Sequence, residues 1–119
     1  MAITFYGYPN CGTCRKAAKW LDENNVEYNY IHIVDQPPTK DELEKIYKNS
    51  GLDLKKFFNT SGQVYRELGV KDKLKDMSES EQLELLASNG KLIKQPIATD
   101  GNHVTVGYKE EQYEEVWKK

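Results

Sequence analysis

No stretch of this 119-residue sequence approaches the ~18 apolar residues of a membrane span. Its opening, Met-Ala-Ile-Thr-Phe-Tyr, has neither a basic n-region nor a long apolar h-region, so no secretory signal is expected. A dominant charge sign is also lacking. Charged residues make up 30% of the chain, yet the net charge is −2, which removes the electrostatic reason to expect nucleic-acid binding. Cysteine is scarce. Two cysteines are too few for a disulfide framework, and without an export signal they point to a reducing compartment, the cytoplasm. There a close pair is catalytic, redox-sensing or metal-binding rather than structural.

What is present suits one domain spanning 1–119, with 38% apolar residues to build a single core. The two cysteines fall in the run Phe5-Tyr6-Gly7-Tyr8-Pro9-Asn10-Cys11-Gly12-Thr13-Cys14-Arg15-Lys16. Ile3 to Phe5 read as a strand and Gly7 to Pro9 as a turn. Cys14, Ala17, Ala18 and Leu21 fall at helical spacing. The pair is thus expected where a strand turns into a helix, with Cys11 exposed at the tip and Cys14 one turn in. Unpaired N–H groups and the positive end of the dipole favour a thiolate there. Arg15 adds a fixed cation and Lys16 follows it.

Asp22-Glu23-Asn24-Asn25 ends that helix, and the β-formers of Glu27–Val34 give a second strand. Strand, helix and strand over about thirty residues imply a parallel βαβ unit. Asp35-Gln36-Pro37-Pro38 breaks the pattern. Thr39 with Glu42, and Ser78 with Glu81, are capping boxes that open helices. Leu52–Phe58 and Val64–Leu68 read as shorter helices, the latter ending at Gly69, so 36–91 is expected to be a helical insertion. The β pattern returns at Pro96–Thr99 and His103–Tyr108, around the hairpin signal Asp100-Gly101-Asn102. Tyr113, Val116 and Trp117 give the tail Lys109–Lys119 one apolar helical face.

Cys-x-x-Cys on a βαβ pattern is the redox signature of thioredoxin-like folds. One thiolate attacks a disulfide, and the second thiol resolves the mixed disulfide by exchange. Two plainer readings stay open. A zinc site needs four ligands, and His32 and His103 lack the short spacing of a zinc pair. Two inert core cysteines are the other alternative. Pro96 opens a strand, an ordinary place for proline that in thioredoxin-like folds is the cis position facing the cysteine helix. His32 reads as a strand residue and His103 as an exposed one; neither suits a general base. Tyr8 could line a substrate surface or pack in the core.

Five segments, Pro9–Lys16, Asp35-Gln36-Pro37-Pro38-Thr39, Tyr65-Arg66-Glu67-Leu68-Gly69, Gln95-Pro96-Ile97 and Val106-Gly107-Tyr108, together resemble the ArsC/Spx family, in order over nearly the whole chain. The resemblance implies an α/β protein with a thioredoxin/glutaredoxin-like core, β-α-β … β-β-α around a four-stranded mixed sheet, built from 1–35 and 92–119. It implies Cys11 as nucleophile and Cys14 as resolving thiol. Asn10, Gly12, Thr13 and Arg15 would shape the thiolate loop, and Gln95 and Pro96 the facing wall. No bound cofactor or metal is implied. Electrons would come from thioredoxin, glutaredoxin or a low-molecular-weight thiol, and the protein would act as a monomer.

Two branches are implied. Arsenate reductases of this type usually have serine at the place of Cys14. They hold the oxyanion with arginines in the loop matching Asn59-Thr60-Ser61, directly before the strand proline, and near the end of the last strand. None of those places holds arginine here, and Gln95 precedes Pro96. Arginine's bidentate fork is what suits a tetrahedral oxyanion. The expectation is therefore thiol exchange rather than efficient arsenate reduction. Spx-type regulators share the Cys-x-x-Cys switch and the Val-Gly-Tyr ending. They bind the C-terminal domain of the RNA polymerase α subunit through a surface that includes a glycine matching Gly51.

Overall fold

The computed structural model describes residues 2–118. Strand β1 (Ile3–Gly7) leads into helix α1 (Gly12–Glu23), and β2 (Tyr28–His32) follows. Helices α2 (Lys40–Ser50), α3 (Gln63–Glu67), α4 (Val70–Lys73) and α5 (Glu79–Ser88) come next, with 3₁₀ turns at Leu54–Phe57, Leu74–Asp76 and Gly90–Leu92. Strands β3 (Ile97–Thr99) and β4 (Val104–Val106) and helix α6 (Glu110–Val116) complete the chain. The tail helix had been expected to run to Lys119, which lies outside the described residues. Among those residues no helix is long and apolar enough to cross a membrane.

The sheet runs β2-β1-β3-β4. β1 pairs parallel with β2, placing Phe5 beside Tyr30 and Gly7 beside His32; β1–β3 and β3–β4 are antiparallel. Order and directions are those expected of a thioredoxin/glutaredoxin-like core. Side chains alternate across a sheet, so consecutive residues feed opposite layers. Ile3, Phe5 and Ala98 pack with Ala17, Trp20 and Leu21 of α1 and with Tyr113 and Trp117. Tyr6 and Ile97 face the other way, onto Leu43 and Ile46 of α2, Phe57, Phe58, and Leu83 and Leu86 of α5.

The local signals account for most of the ends. Thr39 and Ser78 each accept a backbone N–H from the glutamate three residues on (3.2 Å), and each glutamate accepts in return at 3.0 Å. Gly51 closes α2 in the left-handed region at φ +70. Gly90 has a stronger reason to be glycine than ending α5, because a Cβ there would collide with the backbone carbonyl of Ile33 just past β2. Helix α4 and the turn at Leu74–Asp76 were not expected from the sequence; only Val70 and the half-buried Leu74 pack inward from them.

Candidate functional site

The loop between β1 and α1 is set by its own backbone. The Cys11 N–H donates to the Tyr8 carbonyl at 2.9 Å, and the Cys11 carbonyl accepts the Arg15 N–H at 3.1 Å, starting α1. Cys11 therefore sits at the N-cap, with extended φ/ψ of −90° and 115°. This position is normally held by a Ser, Thr, Asp or Asn oxygen that accepts an orphan N–H of the first turn. Here sulfur takes that role: Cys11 Sγ accepts the Cys14 N–H at 3.3 Å. Cys11 is half-buried and Cys14 fully buried, and both thiols are free.

Burial pushes the Cys14 thiol up to about 12, the Cys11 side chain raises it further, and the Tyr8 backbone pulls it part of the way back. Burial disfavours the charged form of any thiol, which is why the inner cysteine is the thiol of the pair at neutral pH.

Cys11 opens onto a cleft of about 380 Å³. Thr13 flanks it on the helix side, Asn59 and Ser61 on another, and Lys94 and Gln95 opposite; Gly107, Tyr108 and Lys109 close the end. Three backbone contacts bring these distant segments together. Asn59 N–H donates to the Leu92 carbonyl at 2.8 Å, Lys94 N–H to Phe57 at 2.7 Å, and Gly107 N–H to Pro96 at 2.8 Å. The Gln95–Pro96 bond is cis. Gln95 also borders a second cavity of about 230 Å³ shared with Tyr8 and Gln63, and its buried Oε1 has no hydrogen-bond partner. Lys94 and Lys109 are the cations of the cleft wall, and it carries no arginine and no carboxylate.

The expected residues are distributed as follows. Cys11, Thr13 and Gln95 line the cleft, while Cys14 and Pro96 are buried. Asn10 Nδ2 donates to the Tyr8 hydroxyl at 3.3 Å. Gly12 faces open space, and Arg15 is exposed on α1 and does not line the cleft. Asn59, Ser61, Tyr108 and Lys109 line it without having been expected as site residues. Only the long-range Phe58–Ile93 bridge brings the first two there, and nothing local in the sequence announces it.

His32 accepts the Asp35 N–H at 3.2 Å and stacks edge-on with Tyr8; His103 pairs with Asp100 at 3.1 Å in the hairpin. Neither lines the cleft. Among the described residues no three His, Cys, Asp or Glu side chains are grouped to hold a metal. A larger cavity of about 610 Å³, bordered by Lys55, Tyr65, Lys71 and Lys75, lies among the helices between β2 and β3, away from both thiols.

Comparison with known proteins fits this geometry. The chain is 67% identical over 117 residues to the uncharacterized protein YusI of Bacillus subtilis, covering 98% of this chain and 99% of YusI. It is 33% identical over 106 residues to the regulatory protein MgsR of the same organism, covering 89% of this chain and 82% of MgsR. A crystal structure of an ArsC family related protein from Bacteroides fragilis superposes with a TM-score of 0.93 at 52% identity, covering 97% of each chain. Residues 6–116, from the last turn of β1 through the cysteine loop to the end of α6, match the ArsC family, and the chain belongs to it.

Proposed function

We propose that the protein is a thiol–disulfide redox protein of the reducing cytoplasm, working through a Cys11–Cys14 dithiol/disulfide couple. The observation that carries this reading is the placement of the two sulfurs. Cys11 faces the cleft and accepts a helix N–H, and Cys14 is buried one turn behind it. A Cys11 thiolate attacking a disulfide R–S–S–R′ forms a Cys11–S–S–R bond and releases R′S⁻. Cys14 then attacks the Cys11 sulfur, closing Cys11–S–S–Cys14 and releasing RSH. The protein loses two electrons and the substrate disulfide gains them. Thioredoxin, glutaredoxin or a small thiol restores the dithiol. Thr13, Asn59 and Gln95 offer uncharged polar contacts to the attached group, with Lys94 and Lys109 at the rim.

Trapping tests this reading. A Cys14→Ser variant should hold cellular disulfide partners, or a small disulfide, on Cys11. The wild type exposed to mild oxidant should instead lose both thiols as one intramolecular disulfide. Absence of that disulfide sinks the proposal.

A second reading, an Spx-type redox-sensing regulator binding the RNA polymerase α C-terminal domain, is favoured by the likeness to a regulatory protein. A pull-down with that domain, in reduced and oxidised protein, tests it; no binding in either state removes it. Gly51 adds no support, since its left-handed backbone at the end of α2 already explains the glycine.

A further inference from the structure

The couple proposed above asks two things of a fully buried sulfur. Cys14 must become a thiolate to close the disulfide, and it leaves as a thiolate when the disulfide is reduced. Burial opposes both. Among the described residues, the titratable side chains within electrostatic reach of Cys14 are Cys11, Tyr30 from β2 and Tyr113 from α6. No cation or carboxylate is among them.

The two tyrosines differ. Tyr30 is 43% exposed, and its hydroxyl leans across β1 to within 2.8 Å of where a Cβ on Gly7 would stand. Water can satisfy it. Tyr113 is wholly buried, and its hydroxyl has no hydrogen-bond partner. Its nearest polar neighbour, the Thr105 hydroxyl, makes Tyr113 slightly more acidic but already accepts the Trp117 indole N–H at 3.0 Å, and it does not reach Tyr113 in hydrogen-bonding geometry. The ring is held edge-on by Trp20 (5.5 Å) and Tyr108 (4.8 Å). Phenylalanine would make those contacts equally well. An unpaired buried hydroxyl lowers stability, so packing gives no reason for it.

We propose that the Tyr113 hydroxyl serves Cys14: it is the hydrogen-bond donor that holds the Cys14 sulfur as a thiolate while the Cys11–Cys14 bond forms or breaks. In closure, Cys14–SH and Cys11–S–S–R give Cys11–S–S–Cys14 and RSH. The Cys14 proton ends on the departing sulfur, and Tyr113 keeps its own. A neutral donor fits a thiol that has to stay protonated in the resting dithiol, where a buried lysine would hold it ionised throughout. The claim rests on the couple itself.

The test uses reduced full-length protein and 5,5′-dithiobis(2-nitrobenzoate), an aromatic disulfide whose released thiolate is coloured. The first release reports attack by Cys11, and the second reports closure by Cys14. In Tyr113→Phe the first should keep the wild-type rate. The second should slow by about tenfold at neutral pH, the factor expected from losing a hydrogen bond to a charged group. Its pH profile should move to higher pH, and the denaturant midpoint should stay level or rise. Tyr30→Phe should close like the wild type.

An unchanged second release in Tyr113→Phe overturns the proposal, as does a slowing carried by Tyr30→Phe instead. Slower closure accompanied by a lower denaturant midpoint also overturns it, because that marks a packing role. Should Tyr113→Phe not fold, 2,3-difluorotyrosine placed at 113 supplies a more acidic donor of nearly the same shape. Its closure profile should move to lower pH, and an unmoved profile overturns the claim. A wild type that never gives the second release defeats the couple itself, a distinct result.

Discussion

The indole N–H of Trp117 donates to the hydroxyl of Thr105 at 3.0 Å, inside the layer between the sheet and helices α1 and α6. Thr105 is fully buried on β4, and Trp117 caps the C-terminal end of α6. This bond ties the last helix to the edge of the sheet. Thr105→Val keeps the shape of the side chain and leaves the indole N–H without a partner. The loss should be about 1–3 kcal/mol, read as a lower urea midpoint with an unchanged slope.

Gly90 meets the Ile33 carbonyl so closely that no side chain fits. Gly90→Ala must push the 3₁₀ turn at Gly90–Leu92 off the end of β2, and Leu92 carries the carbonyl that holds Asn59. Overpacking of this kind typically costs about 1–3 kcal/mol. Thermal unfolding should show it. A neutral outcome would mean that the turn and the strand end are not in rigid contact.

Cys14 gives folding an alkaline limit. Its folded pKa is raised from an ordinary 9.0 to about 12, so the native state binds the thiol proton more tightly than the unfolded chain does. The resulting stabilisation is complete below about pH 9 and is lost as pH rises through about 12. The slope is at most about 1.4 kcal/mol per pH unit for one proton. Tyr113, also raised by burial, adds a decline in the same direction. Urea unfolding of reduced Cys14→Ala across that window should fall less steeply than the wild type; equal slopes would show that the buried thiol is not linked to folding.

Gln95 stands where an oxyanion would need a fork of donors. Its buried Oε1 is unpaired, and cavities of about 380 and 230 Å³ lie on its two sides, so a longer side chain has room. Wild-type arsenate reduction with a thiol donor should be near background, and Gln95→Arg should raise it about tenfold. No gain would place the deficit elsewhere, with Asn59 and Ser61 next to be changed.

Much of this was legible because it is local. A strand turning into a helix at Cys11, two capping boxes and the Asp100-Gly101-Asn102 hairpin each write their geometry into a few consecutive residues. What stayed hidden depends on partners distant in the chain. Gly90 looks like a helix stop until Ile33 is placed beside it. Asn59 and Ser61 reach the cleft only because residues 57–59 run against 92–94. Tyr113 reads as one more apolar position on a helical stripe, and its sequence spacing says nothing about a hydroxyl without a partner. Arg15, adjacent to the thiols in sequence, is carried away from the cleft by the turn of the helix.

Neighbouring residues of β1 and β3 belong to different cores: Phe5 and Ala98 to the layer under α1, Tyr6 and Ile97 to the layer under α2 and α5. The sheet insulates one from the other. Substitutions among the α2–α5 helices should therefore combine independently with substitutions beneath Cys14, their free energies adding as they do for separated sites. One face can diversify while the other keeps its chemistry, with the Asn59–Ser61 loop as the place where a change on the first is felt by the second.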